Sequence, residues 1–70
     1  MVMMKEHYHT FQHGDRTAEV WKTINGHWAT RHYDKKGGKA SVWIEDRVHK
    51  GHNEIWAENA AENWVMGINS

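Results

Sequence analysis

Three short corners constrain this chain more than any other feature of its sequence. Gly14-Asp15 suits a type II′ hairpin turn and Asn25-Gly26 suits type I′. The stretch DKKGGK at 34–39 reads as a longer connection, with a four-residue loop over 35–38. Between the corners lie runs rich in Thr, Val, Trp and Tyr, which predict strands over 8–13, 17–24, 27–34 and 39–45. Strands joined by such short hairpins predict an antiparallel meander in the order 1-2-3-4.

Turn length sets register, and register sets the faces of the sheet. Counting outward from the first corner pairs Phe11 with Ala18 and Tyr8 with Trp21. A two-residue second loop pairs Val20 with Arg31, Trp21 with Thr30 and Thr23 with Trp28. The third loop then pairs Tyr33 with Ala40, Arg31 with Val42 and Thr30 with Trp43. One face collects Phe11, Ala18, Val20, Ile24, Ala29, Tyr33, Ala40, Val42 and Ile44, interrupted by His9, Lys22 and Arg31. The other collects Tyr8, Thr10, Trp21, Thr23, Trp28, Thr30, Ser41 and Trp43, with Glu19, His32 and Glu45 among them. A bulge or a three-residue loop would swap part of this assignment.

Residues 46–53, DRVHKGHN, carry charges and a glycine and read as a connection. The following NEIWAENAAENWVMG is the clearest helix signal. Asn53 is a good N-cap, Glu54 favours the positive end of the helix dipole, and Gly67 supplies a left-handed stop. At 100° per residue, Ala57, Ala61, Trp64, Val65 and Ile68 share a stripe, with Trp56 and Ala60 at its edge. The alanines keep that stripe shallow, so the helix can approach a sheet closely. Beside it, Glu54, Glu58 and Glu62 form a solvated acidic ridge. The expected architecture is a single α+β domain over 1–70: a four-stranded antiparallel meander covered on one face by a C-terminal helix, ββββα.

One helix covers one face. The aliphatic face matches an alanine-lined helix better, which leaves Tyr8, Trp21, Trp28 and Trp43 as the expected contact surface. The alternative is a slipped register, with those rings turned under the helix. Seventy residues are near the lower limit for a single core, and there is no cysteine to staple one. Sheet-on-sheet packing of two copies would bury the aromatic rows and enlarge the core. A homo-oligomer, first of all a dimer, is therefore the expected assembly, and another protein is a further possible target. Single-stranded nucleic acid is the alternative, because exposed aromatics stack on bases. It is disfavoured by Glu19 and Glu45 on the same face and by the balance of nine basic and nine acidic residues. The charge is uneven along the chain, +3 over residues 1–50 and −3 over 51–70.

Seven histidines raise a third possibility, a metal site. His7 and His9 stand at i, i+2, which places both rings on one side of a regular strand. No cysteine helps, and the spacing matches no zinc finger, so no cofactor is expected. DKKGGKAS is not a phosphate loop: Tyr33 stands where the first glycine belongs, and Ala40 follows the lysine. Ser41 and Ser70 are the only serines, and neither sits in a nucleophile elbow. The reading is non-enzymatic. No apolar run has the length of a membrane span, and MVMMKEHYH lacks the apolar core of a secretory signal, so the cytoplasm is the expected location.

The ending AENAAENWVMGI, after a β-rich half with NG and GGK hairpins, resembles short accessory proteins of marine cyanobacterial phages. These often close with an Ala/Glu helix and an aromatic-Val-x-Gly-Ile tail. The resemblance implies an accessory protein in a host cell cytoplasm and carries over no functional residue.

Overall fold

The computed structural model describes residues 3–35 and 40–68. It contains β1 (Met4–His13), β2 (Arg16–Thr23), β3 (Trp28–Asp34), β4 (Val42–His49) and α1 (Glu54–Met66). The strands form one antiparallel sheet in the order β1-β2-β3-β4, and α1 lies across β1, β2 and β3. The ββββα architecture is thus the expected one. The loop glycines Gly37 and Gly38, with Lys36 and Lys39, lie outside the described residues, as does Ser70.

The first corner closes as the residues dictate. Gly14 has φ +59°, Asp15 does not take a positive φ, and His13 pairs with Arg16. That is the II′ pattern, and it seats Phe11 opposite Ala18. The second corner departs from expectation. Type I′ requires a positive φ at both central residues, yet only Gly26, at +84°, has one. Thr23 N–H donates to the His27 carbonyl at 2.8 Å, and Gly26 N–H donates to Thr23 at 3.0 Å. The loop therefore holds three residues, Ile24, Asn25 and Gly26, with glycine in the left-handed position. The Thr23 hydroxyl accepts the His27 N–H at 3.0 Å and secures the wider corner.

One extra loop residue turns β3 over relative to the expected faces. Trp21 pairs with Ala29, Val20 with Thr30 and Ala18 with His32. Ala29 and Tyr33 therefore move to the face away from the helix, while Trp28, Thr30 and His32 move to the helix side. A second correction lies in β4, which begins later than expected and runs on through Asp46, Arg47, Val48 and His49. These residues pair with Arg31, Thr30, Ala29 and Trp28. The charged segment is a strand, not a connection, because its charges find partners: Asp46 takes Arg31, and Arg47 takes Glu45. A third correction lies in β1. The register shifts between His7 and His9, so Tyr8 is an extra residue in the ladder.

Asn53 caps the helix by accepting the Trp56 N–H at 2.9 Å, and Gly67, at φ +76°, ends it. Ala57, Ala61 and Val65 are its buried residues. They meet Ala18 and Val20, with Phe11, Trp28 and Trp64 packed around them. Ile68, expected on the same stripe, follows the glycine stop and stands exposed. The core is small because its central side chains are methyl groups. Enlarging one lifts the helix, so Ala61→Leu should destabilise the domain by about 1–3 kcal/mol in a urea titration. Glu62→Leu, on the exposed side, should change stability by less than about 0.5 kcal/mol.

Candidate functional site

The face of the sheet opposite α1 is built in cross-strand rows. His7, Trp21, Ala29 and Val48 form one row; Thr10, Glu19, Arg31 and Asp46 form the next; Gln12, Thr17, Tyr33 and Trp43 form the third. Arg31 is the hub. Its Nε and Nη2 donate to the two Asp46 oxygens at 2.9 and 3.1 Å. Its guanidinium carbon also lies 5.8 Å from the Trp21 ring and 5.9 Å from the Trp43 ring. Both indole N–H groups are held by carboxylates: Trp43 Nε1 donates to Asp46 at 2.9 Å and Trp21 Nε1 to Glu19 at 3.0 Å.

The electrostatics follow from that lattice. The hydrogen bonds to Asp46 raise the Arg31 pKa above its ordinary value. Burial pushes the Asp46 carboxyl up, but the hydrogen bonds from Arg31 and Trp43 outweigh it and hold the group below the usual carboxylate range. Burial and the neighbouring Glu19 raise the Tyr33 hydroxyl. Rigid rings with an ion pair between them lose little entropy on contact, which suits a recognition surface. Trp43 remains 49% exposed.

Of the four residues expected on this surface, Trp21 and Trp43 are here. Tyr8 and Trp28 are not: the β1 bulge and the three-residue corner turn them to the helix side. There the Tyr8 and Trp28 rings meet edge to face at 4.8 Å. Arg31, Asp46 and Tyr33 are the residues that sequence reasoning placed elsewhere. Their signal was the corner, since a three-residue loop brings Arg31 and Tyr33 onto the Trp21 face.

The same bulge separates the two histidines considered as metal ligands. His7 lies against Trp21 on the open face at 5.1 Å. His9 lies on the helix side, stacked on Phe11 at 4.4 Å and 3.9 Å from Glu58. Among the described residues, no three His, Asp or Glu side chains are placed to hold a metal ion. Among them, too, no helix is long and apolar enough to cross a membrane.

On the helix side, His32 is only 1% exposed. Its ring stacks on Trp64 at 4.4 Å, and its Nδ1 makes no hydrogen bond, with Glu45 Oε1 at 3.5 Å. Burial, reinforced by Arg47, pushes its pKa down to about 4.

No family model matches the chain, and no solved structure matches it. Over 55 residues, 79% of the chain, it is 31% identical to the "Cystein proteinase inhibitor protein salarin" of Salvelinus alpinus. The match takes in 16% of that protein, so the chain spans about a sixth of the length of the curated relative.

His32 makes stability depend on pH in a defined direction. Above the ordinary histidine pKa both folded and unfolded chains hold it neutral. As pH falls from 6.5 toward 4, the unfolded chain takes up the proton and the folded one resists, so stability declines. The loss from His32 reaches about 3 kcal/mol near pH 4, and His49, lowered by burial and by His52, adds in the same sense. Urea midpoints measured between pH 7 and 4 should fall steeply for the native chain. His32→Phe, which keeps a ring against Trp64, should flatten that slope; an unchanged slope would contradict the assignment.

Proposed function

We propose that this chain is a non-enzymatic binding domain whose partner is a cysteine proteinase. The observation that carries the reading is the similarity, across four-fifths of the chain, to a protein named as an inhibitor of that class. Inhibition of this kind asks for a surface that occupies an enzyme without needing chemistry of its own. The open face supports it: Trp21, Arg31 and Trp43 are amphipathic, pre-positioned side chains of the types that dominate protein contacts. Self-association over the same face is the second reading. It is favoured by the partly exposed Trp43 and by a core whose buried apolar side chains are Ala and Val.

An enzyme assay tests the first reading. Papain titrated with the folded domain should lose activity saturably, while trypsin should not. Trp21→Ala and Trp43→Ala should each weaken inhibition roughly tenfold or more. Full papain activity in large molar excess of the domain would overturn the proposal. Equilibrium sedimentation tests the second: a dimer that Trp43→Ala returns to monomer supports it, and a monomer at every concentration removes it.

A further inference from the structure

The open face continues past Trp21 to the second corner. Val48 stands in one row with His7, Trp21 and Ala29, and Thr23 lies two residues beyond Trp21 on the same face of β2. Both also line a groove of about 260 Å³ at that end of the sheet, whose other apolar walls are Met3 and Ile24. Ile24 N–H donates to the Met3 carbonyl at 3.0 Å, which ties the corner to the residue preceding β1.

Turning the chain does not explain Ile24. Tight loops draw on Gly, Asn, Asp and Ser, each for a reason of backbone geometry or local hydrogen bonding. Here a branched aliphatic side chain stands 56% exposed, beside Met3 at 62%. Neither belongs to the core of Ala18, Val20, Ala57, Ala61 and Val65. Exposed apolar side chains gathered around a concave surface mark a contact site, and a loop held on a rigid sheet is a usual place for one.

The groove also has a one-sided charge. His27 and Lys50 are its titratable side chains, and no residue lining it carries a carboxylate. The ion pairs formed among the described residues do not use Lys50. It differs in this from Arg31, whose charge Asp46 already takes. A cation at the rim of an apolar groove is complementary to an apolar group with an acid beside it.

We infer that the groove is the anchor of the open-face contact and takes an aliphatic side chain of the partner that has a carboxylate next to it. The aliphatic group lies among Met3, Ile24 and Val48, and the carboxylate meets Lys50. The inference rests on the open face being the surface that engages a proteinase, and it adds where that contact is deepest and what the partner brings to it.

Inhibition of papain by variants of the full chain tests this. Ile24→Ser should weaken inhibition at least about tenfold, with the melting temperature kept. Ile55→Ser, which removes an equally exposed isoleucine from α1, should leave inhibition unchanged. Lys50→Gln should slow association about threefold or more with little change in dissociation, and Lys50→Arg should restore the native rate. If Trp21→Ala weakens inhibition and Ile24→Ser does not, the inference fails and the reading it rests on stands. Equal losses from Ile24→Ser and Ile55→Ser, or a native association rate in Lys50→Gln, would likewise overturn the inference alone. A native chain that leaves papain fully active overturns both.

Discussion

The close contact of Ala57 and Ala61 with Ala18 and Val20 is the constraint on which the rest of this domain depends. Small side chains on both partners bring α1 down onto the central strands, and every other feature of the helix side takes its place from that approach. Trp64 then reaches His32 and stacks on it, sealing an imidazole away from water. Arg16 reaches over Trp64 and donates to its carbonyl near the helix C-terminus, where the dipole favours a cation. The cost of this shallow core is a charge-sensitive site at its centre, since a buried imidazole must stay neutral for the helix to stay seated.

The two faces divide their aromatic residues by the state of their polar atoms. On the open face, each indole nitrogen is tied to a carboxylate, and one arginine bridges two rings. A surface so cross-linked presents rings in fixed positions, with its charges already satisfied by neighbours. A bare phosphate backbone arriving there would meet Glu19 and Asp46 beside a cation already taken by Asp46. This is physical ground for favouring a protein partner over nucleic acid. On the helix side, Trp64 lies between His32 and the Arg16 guanidinium, and Trp56 packs against His49 and His52.

Much of the fold was legible in the residues. Gly14-Asp15, Asn25-Gly26, the Asn53 cap and the Gly67 stop located three of the four strands and the helix, and the faces of β2 followed. What was not legible has local causes. Asn-Gly serves a type I′ turn and equally a three-residue loop with glycine in the left-handed position. The Thr23 hydroxyl that stabilises the longer form gives no pattern by itself. The bulge at Tyr8 is likewise silent, yet it decides that His7 and His9 part company. Asp46 and Arg47 resemble a loop until Arg31 and Glu45 are known to stand opposite them. Arg31, the hub of the open face, was hidden by the one-residue error at the second corner.

The placement of the helix on the Ala18 and Val20 face, away from Trp21 and Trp43, is the claim from which both surfaces follow. Nuclear Overhauser contacts from the Ala57 and Ala61 methyl groups test it most directly. Cross-peaks to Ala18 and Val20 are expected, with none to the indole protons of Trp21 or Trp43. Cross-peaks from those methyl groups to the Trp21 and Trp43 rings would contradict it.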